Sequence, residues 1–514
     1  MKNLFKNFYF KLFYLFILGV ISSFSLPPYN YFVINFFTLS LFFIFLIKVK
    51  VISKNKFNYF GYGWAFGFGY FLSSLYWISI ALTFDENFKV LIPISLILIP
   101  ALLGIFYGIS TYIFSYFLKK ETISLLLIFS IILSIVEFIR GSILTGFPWN
   151  LLAFSFSNNL NFIQILSIIG TYGFNLICIS LFLIPAAFIL RKSNNEIIVC
   201  LFFILLSITF LTYGNKRLNG KNTILSKKNE YLIKIVSPKI DIKRFYNIIY
   251  DEEIIIDLIE LSEPKSNIPT IFIWPEGILS NDLENIKKYK DIFLRNFSKN
   301  HFIILGINDD IYLENNSKIY NSLVIVNRNL DVIELYHKNK LVPFGEFLPF
   351  ENYLSKLGLR SITNNYKSFS KGNNRKIMKL KNESFDLNFL PLICYEIIYS
   401  GNLTKSNDFD FIVNISEDGW FGNSIGLYQH FSHSIFRAIE EGKNIFRSTN
   451  NGISAHINGK GKVLKKIEST QGSVIEITNY NKLKQTPFSK FGNKIFFYLL
   501  IFYISFVFFI NRGK

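Results

Sequence analysis

Cys394 is the one cysteine in the long polar stretch of this 514-residue chain, and it follows Leu387 to Ile393, a run that reads as a buried strand. The strand end delivers the thiol with Tyr395 and Glu396 directly behind it. A solitary cysteine of this kind is either a core thiol, among the most buried of side chains, or a nucleophile. Two other segments bear on the choice. Ile271-Phe272-Ile273-Trp274-Pro275-Glu276-Gly277 reads as a strand that ends by exposing Glu276, and the stretch from Tyr336 to Pro349 sets Lys338 and Glu346 on either side of a Pro/Gly-pinned turn. Singly, such charged residues are usually surface groups. Together they can do chemistry: a carboxylate takes the thiol proton as Cys394 attacks a carbonyl, then returns it to the leaving group. An ammonium stabilises the tetrahedral oxyanion, helped by the backbone N–H of Tyr395. The base needs a neighbour such as Lys338 to stay poised in a partly dry pocket. No histidine is required.

The elements around these residues have α/β character. Short β-branched runs at Tyr231–Val236, Thr270–Trp274, Phe302–Gly306, Leu323–Asn327, Phe409–Ile415, Gly452–Ile457 and Gly472–Ile477 alternate with helical stretches such as 281–299 and 427–442. Residues 351–380 lack clear strand character and form a long excursion, a candidate lid.

The rest of the chain is of another kind. Half of the sequence (51%) is hydrophobic and its mean hydropathy is +0.34, which calls for contact with lipid. Apolar runs near 9–25, 31–48, 61–83, 90–118, 123–139, 161–190, 195–213 and 495–510 suit eight membrane-spanning helices. The first is read as a retained span, with no clear cleavage motif. Basic residues fall in alternate loops: Lys2, Lys6 and Lys11; Lys48, Lys50, Lys54 and Lys56; Lys119 and Lys120; Arg191 and Lys192; Arg512 and Lys514. The positive-inside rule puts these, with both termini, in the cytoplasm and the segment 214–494 outside it. The expected domains are therefore a bundle of seven helices over 1–213, a catalytic domain over 214–494 and a last span with its tail over 495–514. The net charge of +19 suits anionic lipid surfaces, since many of the basic residues flank apolar spans, and nucleic acid is not expected as a partner. Cys178 and Cys200 lie inside apolar runs, so no disulfide framework is expected. At the outer end of the fifth span Arg140 is placed to meet lipid phosphate or to snorkel, with Trp149 suited to the headgroup region. Gly61, Gly63, Gly67 and Gly69 allow close helix packing.

Glu276, Lys338 and Cys394, in that chain order, resemble the Glu–Lys–Cys signature of the nitrilase (carbon–nitrogen hydrolase) superfamily. The narrower motifs resemble its membrane-bound branch, the apolipoprotein N-acyltransferase family: Trp274-Pro275-Glu276, Leu341-Val342-Pro343-Phe344-Gly345-Glu346, Cys394-Tyr395-Glu396, and Asn414 to Gly422, followed by Gln429-His430, Arg437-Ala438, Glu440, Arg447 and Asn450 to Ser454. The resemblance covers nearly the whole chain. It implies an αββα sandwich outside the cytoplasm of a bacterial inner membrane, with Glu276 as general base, Lys338 as oxyanion stabiliser, Cys394 as nucleophile and Glu346 as an essential second carboxylate. Tyr395, Glu396, Asn321 and Trp420 would line or support the site, and Arg140 matches an arginine of the family's membrane part.

The implied reaction is ping-pong acyl transfer from the sn-1 position of a phospholipid, commonly phosphatidylethanolamine, through a Cys394 thioester to the α-amino group of a diacylglyceryl-cysteine on an apolipoprotein. It calls for no metal and no cofactor. The chain departs from the family at Glu417, where asparagine is usual, which adds a negative charge near the site. The alternative is a membrane-attached amidohydrolase that uses water as acceptor. A non-enzymatic rival, a transporter or scaffold, would need an unreactive thiol.

Overall fold

The structure is a computed structural model that describes residues 7–49, 55–192, 194–220, 223–224, 231–245, 251–313, 316–357, 368–401, 403–404, 408–468 and 471–512. The chain folds as two compact units, one of Met1–Gly220, Ser424–Ser432 and Thr486–Lys514, the other of Lys221–Asn423 and His433–Gln485.

The first unit is helical. Among the described residues six helices are long and apolar enough to cross a membrane: Phe57–Thr83, Glu86–Phe114, Thr122–Arg140, Leu166–Ile189, Asn194–Asn219 and Lys494–Asn511. The first two expected spans are shorter apolar helices, Phe8–Ser23 and Val33–Val49, of 16 and 17 residues. Glycine lets these rods touch at the backbone. A Cβ on Gly69 would come within 2.1 Å of the Phe16 carbonyl oxygen, and one on Gly63 within 2.3 Å of the Tyr107 carbonyl oxygen.

Arg140 does not snorkel. It is 2% exposed, and its Nη1 donates to the carbonyls of Phe147 (2.6 Å) and Trp149 (2.8 Å). Its Nη2 lies 3.9 Å from the buried Glu137, which in turn accepts from Asn175 and from Tyr107 (3.3 Å). Trp149 is likewise buried. The carbonyls of the turn after the helix take up the charge that was expected to reach for lipid.

The second unit stacks two six-stranded sheets. The first has the order β13-β2-β3-β4-β5-β6 and the second β12-β11-β10-β9-β8-β7. The first contains β2 (Leu232–Ser237), β3 (Thr270–Ile273), β4 (His301–Leu313), β5 (Asn316–Asn327), β6 (Val332–His337) and β13 (Ser473–Ile477). The second contains β7 (Met378–Lys381), β8 (Asp386–Ile393), β9 (Phe411–Glu417), β10 (Asn444–Asn450), β11 (Ser454–Ile457) and β12 (Val463–Ile467). A short pair, β1 (Thr223–Ile224) with β14 (Lys482–Leu483), stands apart. Each sheet has three parallel strands at its centre, β2-β3-β4 and β8-β9-β10, with antiparallel strands outside them.

Alternation builds the layers. Ile233, Ile235, Ile271 and Ile273 face inward, where they meet Phe389, Phe411, Val413 and Ile415 of the other sheet. Phe272 and Trp274 face outward onto Ile255, Leu258 and Phe293, from the helices Asp251–Ser262 and Lys290–Asn296. The helix expected over 281–299 is thus shorter, preceded by a 3-10 turn at Asn285–Tyr289. The excursion 351–380 is more structured than expected at both of its described ends. Glu351–Leu354 is a helical turn, and Met378–Lys381 is an edge strand with Met378 and Leu380 buried between exposed lysines. Residues 358–367, the middle of the expected lid, lie outside the described residues.

Candidate active site

Four strands of the second unit end near one another, and each hands over part of the site. Just past the carboxyl end of β3 comes Glu276. Its segment is pinned to the neighbouring strand, with the Trp274 N–H donating to the Ile304 carbonyl (2.8 Å) and the Gly306 N–H to that of Pro275 (3.1 Å). Gly306 has to be glycine: a Cβ there would lie 2.4 Å from Glu276 Cα. Lys338 follows β6, its N–H donating to the Asn321 carbonyl of β5 (2.8 Å). Cys394 follows β8 at the first residue of a 3-10 turn, Cys394–Ile398, with φ of 46°. A positive φ on a non-glycine residue is a local strain that the surroundings must hold. Ser416, Glu417 and Asp418 come from the end of β9. In open α/β sheets ligands bind outside the carboxyl ends of strands, and this cluster obeys that rule.

The centre is one ammonium between two carboxylates. Lys338 Nζ donates to Glu276 Oε1 (2.9 Å) and to Glu346 Oε1 (2.8 Å). Asn321 Nδ2 donates to the same two oxygens, at 2.7 Å each. Asn321 therefore holds the carboxylates together. The remaining oxygens are also held: Glu417 N–H donates to Glu276 Oε2 (3.0 Å), and Val342 N–H to Glu346 Oε2 (2.9 Å).

Burial pulls the Lys338 ammonium down, but Glu276 and Glu346, then Cys394, outweigh it and hold its pKa well above the usual lysine value. Glu346 is pushed up by burial and by Glu276, against the pull of Lys338. The Cys394 thiol is raised well above its ordinary value, first by burial and then by Glu276, while Lys338 lowers it and Asp418 raises it further. A thiol raised in this way would need a base to take its proton before it could act as a nucleophile.

Around this centre, buried carboxylates are paired with arginines. Asp418 meets Arg447 at 2.8 Å and accepts from Ser416 Oγ (2.7 Å), and the Ser416 side chain pulls the Cys394 thiol pKa down. Glu417, expected to add a negative charge near the site, accepts from Arg244 and from Asn450 Nδ2 (2.7 Å), so its charge is spent inside the domain.

Glu396 is a hub. It accepts from Tyr336 Oη (2.8 Å), from the N–H groups of Asn339 (3.0 Å) and Lys340 (3.1 Å), and from Ile393 N–H (3.0 Å), with Arg375 at 3.4 Å. One side chain thereby fixes the turn that carries Cys394 to the loop that carries Lys338. Tyr395 is buried, with its ring edge-on to Tyr399. Trp420 stacks on Phe245 at 5.5 Å. Arg437 and Glu440 form a buried i,i+3 pair at 2.7 Å, and Arg437 also donates to the Ile398 carbonyl (3.1 Å) behind the cysteine turn.

Of the residues singled out from sequence, Glu276, Lys338, Glu346, Asn321, Cys394, Tyr395, Glu396 and Trp420 all belong to the second unit, and Arg140 belongs to the first. Sequence reasoning missed Arg244, Tyr336 and Arg375. Arg244 sits in Asp241-Ile242-Lys243-Arg244-Phe245, which reads as a solvated charged turn. Its meaning depends on a partner 173 positions away.

Comparison with known proteins points one way. The apolipoprotein N-acyltransferase N-terminal domain family matches residues 18–184, and the carbon-nitrogen hydrolase family matches residues 292–479. The apolipoprotein N-acyltransferase of Rickettsia typhi is 32% identical over 507 residues, covering 95% of this chain and 97% of that protein. The one of Rhizobium leguminosarum bv. trifolii is 29% identical over 483 residues, covering 90% and 88%. Among solved structures, a mutant of the nitrilase-superfamily amidase from Nesterenkonia AN1 is similar with a TM-score of 0.33 at 10% identity, over 51% of this chain and 94% of that one.

Proposed function

This chain belongs to the apolipoprotein N-acyltransferase family, and from that premise we propose how its residues carry out the transfer. The activity is N-acylation of apolipoproteins in lipoprotein biosynthesis, with a lipid as the source of the acyl chain. In the first half-reaction Glu276 takes the proton of Cys394, and the sulfur attacks the sn-1 ester carbonyl of a phospholipid such as phosphatidylethanolamine. The Lys338 ammonium and the Tyr395 N–H face the oxyanion that develops. Collapse of the tetrahedral intermediate breaks the ester C–O bond, and the departing lysophospholipid oxygen takes the proton from Glu276. In the second half, the α-amino group of a diacylglyceryl-cysteine attacks the thioester. It gives its proton to Glu276, and the released thiolate recovers a proton from that acid. Glu346 holds Lys338 in place for both halves.

The observation that carries this reading is Lys338 Nζ held at 2.9 and 2.8 Å between Glu276 and Glu346. The Glu276 charge acts on the Cys394 thiol, a closeness that supports Glu276 as base. The placement of the chain is proposed as eight spans in the inner membrane, with domain limits of 1–213, 214–494 and 495–514. Both ends of the sequence would be cytoplasmic and the catalytic domain periplasmic. The two shorter apolar helices and the alternation of basic loops support this arrangement. Such anchoring would confine enzyme and both lipid-linked substrates to one plane. Residues 351–380 are proposed to act as a lid, a role favoured by the exposure of Tyr353 (74%) beside the Leu341–Pro349 motif.

The test is intact-protein mass spectrometry of the full chain after incubation with phospholipid alone, before and after hydroxylamine. The expected result is one hydroxylamine-labile acyl group, absent from Cys394→Ala. A labile acyl group retained by that variant rejects the nucleophile. Rapid fatty-acid release without a stable adduct supports the hydrolase instead.

A further inference from the structure

The helical unit has a cleft of about 280 Å³ between the helices Phe8–Ser23 and Val33–Val49, and acyl transfer makes no use of it. Its polar lining is Lys11, Tyr14 and Lys48, and its apolar lining is chiefly Leu41, Ile44 and Phe45. Lys11 is only 4% exposed. Among the described residues neither lysine ammonium has a hydrogen-bond or ion-pair partner, and neither helix carries a carboxylate. A buried ammonium without a counter-charge is costly and calls for an anion.

The lining is also ordered along the helices. Leu41, Ile44, Phe45 and Lys48 recur at three- and four-residue spacing, so they share one face. Seven residues separate Leu41 from Lys48, a rise of about 10 Å. The basic groups sit at the helix ends, with Lys11 in the first turns of one helix and Lys48 in the last turn of the other, and the apolar groups lie deeper. That is the order of an amphiphile in a bilayer, charge at the surface and chain within.

We propose that this cleft binds an anionic phospholipid, its phosphate between Lys11 and Lys48 with the Tyr14 hydroxyl beside it, and an acyl chain along Leu41, Ile44 and Phe45. The cleft has room for a glycerophosphate moiety but not for a whole lipid, so the chains continue over the outer surface of the helices. The proposal rests on the reading of these helices as membrane-embedded. In that reading the basic end is cytoplasmic, so the bound lipid belongs to the inner leaflet and is distinct from the acyl donor.

The experiment uses delipidated full-length protein in detergent. It is titrated with dioleoylphosphatidylglycerol, dioleoylphosphatidylethanolamine or inorganic phosphate, and bound species are counted by native mass spectrometry. One phosphatidylglycerol should bind in preference to phosphatidylethanolamine. Lys11→Gln and Lys48→Gln should each weaken it about tenfold. The double variant Lys11→Arg/Lys48→Arg, which keeps both charges, should bind as wild type, and thioester formation at Cys394 should be unchanged throughout. Equal binding of the two lipids overturns the proposal, as does wild-type binding by the glutamine variants, or saturation by inorganic phosphate that displaces the lipid. If wild type forms no thioester yet binds phosphatidylglycerol selectively, the catalytic reading fails and the lipid site stands.

Discussion

The charge of Glu276 and its proposed role as base act on Cys394 in opposite directions, and a single substitution separates them. As a charge, it raises the thiol pKa; as the base of the proposed mechanism, it would remove the thiol proton once the substrate is in place. Glu276→Gln should therefore lower the thiol pKa, so that alkylation by iodoacetamide, which needs only thiolate and access, sets in at lower pH than in wild type. The residue is half-buried, which gives a small reagent a way in. Wild-type alkylation should rise only at a pH well above 9, the usual thiol value. The same variant should lose acyl-enzyme formation by roughly two to four orders of magnitude, the usual worth of a positioned base. Mass spectrometry reads both rates on one sample. If alkylation and acylation fall together, Glu276 is only a structural acceptor. At this scale the sequence was most informative: Glu276, Lys338 and Cys394 each sit in a short motif with a chemical reason to be there, and the structure joins Lys338 to Glu276 and Glu346 through hydrogen bonds.

At the scale of elements, what positions Glu276 is the meeting of strand ends, and Arg244 and Glu417 fasten it. From the turn Ile242–Phe245, Arg244 Nη2 donates to the Gly277 carbonyl after β3 (3.0 Å) and to the Glu417 carboxylate at the end of β9. The Glu417 N–H in turn donates to Glu276 Oε2 (3.0 Å). Burial pushes the Glu417 carboxyl up and Arg244 opposes this, so losing the guanidinium would favour protonation and loosen the fastening. Breaking a buried pair from one side costs about 3–5 kcal/mol, whereas replacing both charges costs much less. Arg244→Gln and Glu417→Gln should each destabilise the domain and slow thioester formation, and the double variant, with two neutral amides, should recover part of both losses. Thermal unfolding and single-turnover acylation measure the cycle; strictly additive losses would sink the pairing. The elements themselves were unevenly legible. The central strands β2, β3, β8 and β9 announce themselves as runs of buried apolar residues. The outer strands β6, β7 and β12 mix Lys and Glu with apolar residues because one face meets water, and such alternation over four to six residues is a weak signal. β10 is buried throughout yet reads Asn-Ile-Phe-Arg-Ser-Thr-Asn, polar enough to pass for a loop. Its polar side chains bond inside the domain, as Arg447 does to Asp418 (2.8 Å).

Over the whole molecule the chain passes repeatedly between its two units, and Ser424–Ser432, embedded in the sequence of the second unit, folds with the helical one. The helix Gly426–Glu441 therefore starts in one unit and continues in the other. Its amphipathic pattern showed a helix from sequence alone, but nothing local showed that its first turns belong with residues 350 positions earlier in the chain. Gln429 ties that beginning down. Its Oε1 accepts from the indoles of Trp149 (2.9 Å) and Trp77 (3.1 Å), and its Nε2 donates to the Ser74 carbonyl (3.2 Å). Gly426 packs on the Trp77 ring, where a Cβ would come within 2.8 Å of it, and the His430 ring stacks on Trp149 at 5.5 Å. Gln429→Leu keeps the bulk and takes away the Oε1 to which the Trp149 indole donates, while Trp77 keeps its bond to the Ser74 carbonyl (3.0 Å), at a cost of about 1–3 kcal/mol. Gln429→Glu keeps that acceptor and loses only the donor to Ser74. The unfolding midpoint followed by tryptophan fluorescence should therefore fall in the order wild type, Gln429→Glu, Gln429→Leu. A leucine variant that unfolds with wild type would mean that the indole contacts add nothing and that the helix start is held by packing alone.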